Sequence, residues 1–146
     1  MLLQVILKNY DIIKKRNITV KDSKKILIID DSITMLKTIE HSFQKINEFN
    51  LVLEKDPINA MQYINFNEDI DLLVVDWNMP KMTGIDIIKE VRKMPKYKYL
   101  PIIMITTEGT KASVEEAIKL GVNGYIIKPF TFNIFKYEIE KIFTFF

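Results

Sequence analysis

The chain has 146 residues, 48% of them hydrophobic and 27% charged, which fits a single domain with a sizeable core. Its 21 basic residues nearly balance 19 acidic ones, so the net charge of +2 gives no indication of nucleic-acid binding. The lack of cysteine excludes disulfides and cysteine nucleophiles, and no apolar run approaches the ~18 residues of a membrane span. We therefore expect a cytoplasmic domain.

The first 22 residues form a segment of their own. Four apolar residues recur there at helical spacing: Leu3, Ile6, Tyr10 and Ile13. This pattern, followed by the basic residues 14–16, predicts an amphipathic helix that docks on the domain, on a partner or on a membrane surface. The alternative is an extension without a specific role, because periodicity alone specifies no function. We divide the chain into this extension, residues 1–22, and a domain, residues 23–146.

From residue 24 onward, short apolar runs alternate with segments of helical periodicity. The runs are continuously apolar, as is typical of parallel strands buried on both faces, and cover residues 26–29, 51–53, 72–75, 102–105 and 125–127. The helical segments cover about 33–47, 57–66, 85–93, 111–120 and 131–143. Five strands alternating with five helices predict an α/β fold, a doubly wound five-stranded parallel sheet flanked by five helices.

Chemically active side chains follow these strands where each strand ends. Asp30 and Asp31 follow the first strand, and Asp76 follows the third. Thr106 ends the fourth, and Lys128 follows the fifth. Because ligands of such sheets bind at the carboxyl ends of the strands, we expect these five groups to converge on one site.

The chemistry of this set points to phosphoryl transfer. Three neighbouring carboxylates repel one another, and Mg²⁺ relieves the repulsion while keeping positions open for phosphate oxygens. Lys128 adds a positive charge and Thr106 a hydroxyl donor, so the site can accept a phosphoryl group. Asp76, central in the set, is the expected nucleophile, and its product is an acyl phosphate. The chain has no glycine-rich nucleotide-binding motif, so the phosphoryl donor comes from outside.

Four sequence strings resemble those of the bacterial two-component response-regulator receiver domain. They are Ile28–Ser32, Val74–Pro80 with Gly84, Ile105–Glu108 and Gly124–Phe130. The resemblance covers about 25–144 and is strongest to the stand-alone chemotaxis regulators that bind the flagellar motor switch. It implies a flavodoxin-like fold and a signalling switch that catalyses only its own phosphorylation and dephosphorylation.

The resemblance also implies roles for individual residues. A sensor histidine kinase would phosphorylate Asp76. Asp31, Asp76 and the backbone carbonyl of Asn78 would ligate Mg²⁺, and Asp30 would act on it mainly through water. Lys128 would contact a phosphoryl oxygen.

The predicted switch consists of Thr106 and Tyr125. Thr106 would turn toward the phosphoryl group, and Tyr125 would move into the space that it leaves. We expect the protein to be a monomer. Phosphorylation would change its affinity for a flagellar motor switch protein or another output protein. Its binding face would comprise the fourth helix, the fifth strand and the fifth helix. We further predict a cis bond between Lys128 and Pro129.

Two other functions use similar chemistry. A phosphohydrolase of the haloacid-dehalogenase type also uses an aspartate and Mg²⁺, but it expects a D-x-D motif on the first strand, where this chain has Asp30, Asp31 and Ser32. A relay intermediate or phosphate sink in a pathway other than chemotaxis stays open. Thr107, where the family often has a smaller residue, is expected to affect the lifetime of the phosphorylated state.

Overall fold

The computed structural model describes residues 23–145, in which five strands and five helices alternate. The strands are β1 (Lys24–Ile29), β2 (Phe49–Glu54), β3 (Leu72–Asp76), β4 (Ile102–Thr106) and β5 (Gly124–Ile127). The helices are α1 (Ile33–Phe43), α2 (Pro57–Phe66), α3 (Gly84–Lys93), α4 (Lys111–Lys119) and α5 (Phe132–Phe145). The predicted N-terminal helix lies outside the described residues. Within these residues, no helix is both long and apolar enough to cross a membrane.

The five strands form one parallel sheet in the order β2-β1-β3-β4-β5. The chain first winds outward from β1 to β2 and then continues from β3 on the other side of β1. The predicted doubly wound parallel sheet is therefore confirmed. This order places the carboxyl ends of β1 and β3 side by side at the switch point, where ligands of such folds bind.

Helices cover both faces of the sheet, because alternate strand residues point to opposite sides. On one face, α1 and α5 pack through aromatic contacts, and the Phe43 ring lies 5.1 Å from that of Phe132 and 6.0 Å from that of Phe135. On the other face, α2, α3 and α4 pack on a core of mostly aliphatic side chains around Leu27, Val75 and Met104. Both faces of the central strands are thus buried, as the continuous apolar runs predicted.

Most predicted boundaries agree with the structure, with two differences. Helix α1 ends at Phe43 rather than near residue 47, because the amides of Gln44 and Ile46 bond to carbonyls three residues earlier and close a turn. A short 3₁₀ helix at Pro95–Tyr97, before β4, was not predicted.

Candidate functional site

Three carboxylates meet at the carboxyl ends of β1 and β3. Asp30, Asp31 and Asp76 each offer an oxygen within 4.8 Å of the others. Asp30 is 1% exposed and Asp76 is 5% exposed, whereas Asp31 faces solvent. The sheet order produces this cluster, because it makes β1 and β3 neighbours, and because Asp30 and Asp31 directly follow β1 while Asp76 ends β3.

Lys128 reaches this cluster from β5 and binds Asp30 more closely than Asp76. Its Nζ donates to Asp30 Oδ2 at 2.8 Å and lies 3.4 Å from Asp76 Oδ1. The other oxygen of Asp30 accepts the amide proton of Ser32 at 2.8 Å, so both of its oxygens are bonded. The bond between Lys128 and Pro129 is cis, as predicted.

Burial and charge set the protonation of this site. Burial raises the pKa of Asp76 to about 6; the charges of Asp30 and Asp31 add to the shift, and Lys128 opposes it. Burial alone would lower the pKa of Lys128, but its bonds to Asp30 and Asp76 outweigh this and raise it. At neutral pH the site therefore holds a mainly ionised Asp76 beside an ammonium group.

The donor set fits a hard divalent cation. Three carboxylates and one ammonium leave the cluster with an excess of negative charge, and carboxylate oxygens are the ligands that Mg²⁺ prefers. Asn78 lies exposed in the loop two residues after Asp76. The use of its backbone carbonyl as a ligand stays a prediction.

The first residue of α3, Gly84, lies very close to the Asp76 backbone. The Gly84 amide donates to the carbonyl of Trp77 at 2.8 Å. A Cβ atom at Gly84 would lie 2.2 Å from the carbonyl oxygen of Asp76, so a side chain there would displace the Asp76 backbone. Gly84 was noted as part of a motif, but this steric reason depends on a tertiary contact that the sequence does not reveal.

The two predicted switch residues are connected through the backbone of Glu108. Thr106 is fully buried at the end of β4, and its hydroxyl oxygen accepts the Glu108 amide proton at 3.0 Å. The Tyr125 hydroxyl donates to the Glu108 carbonyl. Burial raises the pKa of Tyr125, and the charge of Glu108 adds to this. One loop residue therefore joins both side chains.

Thr106 is also tied to the rest of the site by backbone contacts. Its carbonyl accepts the amide proton of Lys128 at 2.8 Å. The preceding residue, Ile105, lies opposite Asp76 in the pairing of β3 with β4, and its carbonyl accepts the Trp77 amide at 3.0 Å. A shift of the Thr106 backbone would therefore strain hydrogen bonds at Lys128 and at Trp77, the residue next to Asp76.

Sequence reasoning missed an ion pair beside the site. Lys81, in the loop after β3, has a φ of 71° in the left-handed region, which few residues other than glycine adopt. Its Nζ lies 2.5 Å from Asp56 Oδ2, and Asp56 caps the first turn of α2. No local sequence signal announces this pair, whose members are 25 positions apart.

Known proteins resemble this chain in both sequence and fold. The model of the response regulator receiver domain matches residues 26–140. A chemotaxis protein CheY homolog of Campylobacter jejuni is 42% identical over 118 residues, which cover 81% of this chain and 91% of the relative.

Two solved structures extend the comparison. The chemotaxis response regulator CheY4 of Vibrio cholerae has a TM-score of 0.76 and 29% identity, covering 82% of this chain and 98% of its own. A CheY from Borrelia burgdorferi, crystallised in a complex with CheX, BeF₃ and Mg²⁺, gives a TM-score of 0.73 and 27% identity, with coverage of 82% and 89%. With the matched family model and the 42% identical relative, these findings show that the chain belongs to the response regulator receiver family.

Proposed function

We propose that Asp76 accepts a phosphoryl group from a histidine kinase in a Mg²⁺-dependent reaction and thereby controls binding of an output protein in chemotaxis. The observation that carries this proposal is the position of the Asp76 carboxylate. It is buried at a strand end, between two further carboxylates and the ammonium group of Lys128. This arrangement supplies a nucleophile, the Asp76 carboxylate. It also supplies a positively charged group, the Lys128 ammonium, that can bind phosphoryl oxygens.

The proposed step forms one bond and breaks one. An Asp76 carboxylate oxygen attacks the phosphorus of a phosphohistidine or a small acyl phosphate. A phosphorus–oxygen bond forms, and the bond to the donor breaks with its electron pair on the imidazole or carboxylate leaving group. Asp76 must be ionised to attack, and in the metal-free site its pKa is raised to about 6, which favours reaction at neutral rather than acidic pH.

Residues around Asp76 support this step by charge and by hydrogen bonding. Lys128 would donate to a phosphoryl oxygen and weaken its hydrogen bond to Asp30, because the transferred group brings three charged oxygens. Thr106 uses its oxygen as an acceptor from Glu108, which leaves its proton available to the phosphoryl group. Mg²⁺, when bound, would offset part of the combined negative charge of the carboxylates and the phosphoryl group.

We propose that Asp31, Asp76 and the Asn78 carbonyl ligate this cation, with Asp30 acting mainly through water. The geometry is compatible with that division. Both oxygens of Asp30 are already bonded, to Lys128 and Ser32, whereas Asp31 is exposed and open to an entering ion.

The proposed output face is formed by α4, β5 and α5. Four large apolar side chains there are 48% to 62% exposed: Ile118, Ile127, Ile134 and Tyr137. Half-buried Tyr125 lies on the same strand and bonds to the loop that carries Thr106. A change at Thr106 can therefore alter this apolar face, which is the coupling that a switch requires.

Chemotaxis is proposed because the relatives are chemotaxis proteins. The corresponding partner would be a flagellar motor switch protein, bound by a cytoplasmic monomer. A phosphate sink would share the chemistry of Asp76 but would require no output face, so phosphorylation-dependent binding of a partner distinguishes the two functions.

The phosphorylation step is tested with acetyl phosphate and Mg²⁺. We expect the wild type and Asp69→Asn, a change at an exposed aspartate outside the site, to form a phosphoprotein whose phosphate is labile to both acid and base, as an acyl phosphate is. Asp76→Asn, which keeps the size but loses the nucleophilic oxygen, should form none. Mass spectrometry measures the bound phosphate, and wild-type levels in Asp76→Asn would place the acceptor elsewhere.

The output is tested with Tyr125→Ala and beryllofluoride, a phosphoryl mimic. For the wild type, the mimic should raise affinity for the motor switch protein encoded in the same genome. We expect Tyr125→Ala to lose most of this increase in affinity while Asp76 is still phosphorylated normally. The control is Tyr99→Ala, at an exposed tyrosine between α3 and β4. If the mimic leaves wild-type affinity unchanged, the output assignment is wrong and a phosphate sink becomes the better explanation.

A further inference from the structure

A groove with an aromatic floor and charged walls lies at the amino end of the sheet, opposite to the carboxylate cluster. We name it the basal groove; it has a volume of about 490 Å³ and is lined by Lys24, Glu48, Phe49, Glu140, Phe143 and Thr144. The rings of Phe49 and Phe143 stack at 5.8 Å and form its floor, and both are only partly buried. Lys24 Nζ lies 5.9 Å from the centre of the Phe143 ring.

The segment that precedes the domain enters at this groove. Lys24 lines it, and the Lys24 amide donates to the carbonyl of Glu48 at 2.9 Å, which fixes the chain at the groove wall. Residues 1–22 are therefore joined to the domain beside this groove. A tethered segment meets a nearby surface at an effective concentration of the order of millimolar, far above that of a free partner.

The length of the segment suits the groove. If residues 3–16 are helical, they span about 21 Å, similar to the 14-residue helix α5 that forms one wall. Residues 17–22 provide a connection of up to about 20 Å, enough for the helix to turn back along α5.

The chemistry of the segment complements that of the groove. Leu3, Ile6, Tyr10 and Ile13 would form the apolar face of the helix. The basic residues 14–16 follow, and the groove carries two exposed carboxylates, Glu48 and Glu140, of which Glu140 also pairs with Lys136 at 3.1 Å. The partly buried phenylalanine rings provide an apolar floor between these charges.

We propose that residues 3–16 dock as an amphipathic helix in the basal groove of the same molecule, with the apolar face on Phe49 and Phe143 and the basic end beside Glu48 and Glu140. Docking at the amino end of the sheet leaves the carboxylate cluster accessible. It adds contacts to the last turn of α5, one of the elements of the proposed output face.

Hydrogen exchange of the full chain tests this proposal. We expect amides of residues 3–13 to exchange at least about tenfold more slowly in the wild type than in Ile13→Asp, which places a charge on the apolar face. The matched control is Ile12→Asp, the same change at a position that a helix turns away from that face, and it should keep the protection. Equal exchange in the wild type and Ile13→Asp would overturn the proposal.

A spin label identifies which molecule provides the groove. Because the chain has no cysteine, a nitroxide on Asn47→Cys, beside the groove, reports on this site alone. It should broaden NMR signals of residues 3–16, whereas a label on Thr83→Cys, at the opposite end of the sheet, should not. Broadening that arises only between labelled and unlabelled molecules would assign the groove to a second copy and overturn the intramolecular proposal.

A charge reversal in the groove provides a variant with little risk to folding, because the side chain is exposed. Glu48→Lys should weaken the protection of residues 3–13, while Glu116→Lys, an equally exposed site on α4, should leave it unchanged. Identical protection in both variants would show that Glu48 takes no part and would contradict the proposed orientation.

Discussion

Helices α3 and α4 pack on the same face of the sheet but are held very differently. Five of the ten residues of α3 are buried, whereas of the nine residues of α4 only Ala117 is. A reciprocal capping box between Thr83 and Asp86 closes the start of α3. The difference indicates that α3 is part of the fixed core and that α4 can be displaced at little cost.

Arg92 shows which end of α4 is fixed. Its guanidinium, in the last turn of α3, donates to the carbonyls of Leu120 and Gly121, just beyond α4. The other end of α4 follows the loop of Glu108, which contacts Thr106 and Tyr125. The region that would respond to phosphorylation is therefore the start of α4, while its end stays attached to α3.

The first prediction, with the largest expected effect, compares the loss of a buried side chain in α3 with the loss of an exposed one in α4. Ile88→Ala in α3 removes a fully buried side chain and should lower the free energy of unfolding by about 2–5 kcal/mol. Ile118→Ala in α4 removes a side chain that is 62% exposed and should change it by less than about 0.5 kcal/mol. Urea denaturation measures both, and equal losses would refute the contrast.

The second prediction concerns β3, which is fully buried and ends in the candidate phosphoacceptor. Because folding raises the pKa of Asp76 from 3.8 to about 6, its ionisation opposes folding as pH rises through this window. Without Mg²⁺, Asp76→Asn should therefore raise the free energy of unfolding at pH 7.5, by up to about 3 kcal/mol.

The pH dependence provides the control for this prediction. As the pH falls through 3.8, the carboxyl group becomes protonated in the unfolded state as well as in the folded state, so most of the gain should be lost at pH 3.5. Urea denaturation at both pH values in the presence of a chelator makes the measurement. A gain that is as large at pH 3.5 as at pH 7.5 would show that ionisation is not its cause.

The third prediction compares one glycine from each region. Gly84→Ala brings Cβ to 2.2 Å from the Asp76 carbonyl and should cost about 1–3 kcal/mol and slow phosphorylation. Gly109→Ala, in the loop before α4, meets only the tip of Ile127 at 3.0 Å, and this half-exposed side chain can move aside. Its cost should stay below about 1 kcal/mol. Thermal denaturation and acetyl phosphate labelling compare the two variants.

The sequence predicted the architecture well because the relevant signals are local. Continuous apolar runs and helical spacing identified the strands and helices, and the aspartates at strand ends predicted the carboxylate cluster. The resemblance to receivers added roles that geometry alone does not assign. The end of α1 was less predictable, since the pattern that suggested a helix to residue 47 did not include the turn after Phe43.

The missing details depend on contacts between distant residues. Lys128 and Asp30 are 98 positions apart, and their 2.8 Å bond, closer than that to Asp76, follows from the positions of three strands. The Lys81–Asp56 pair and the contacts of Arg92 with the end of α4 have the same origin. No sequence period encodes these contacts.

The contacts of Glu108 have a consequence for how this protein can diversify. Both are made by its backbone, with the amide bonded to Thr106 and the carbonyl to Tyr125. Every residue except proline provides the same two groups, so the side chain at position 108 can change while both hydrogen bonds are kept. A lineage can therefore revise the side chain presented beside the proposed phosphorylation site without rebuilding the connection between the two proposed switch residues.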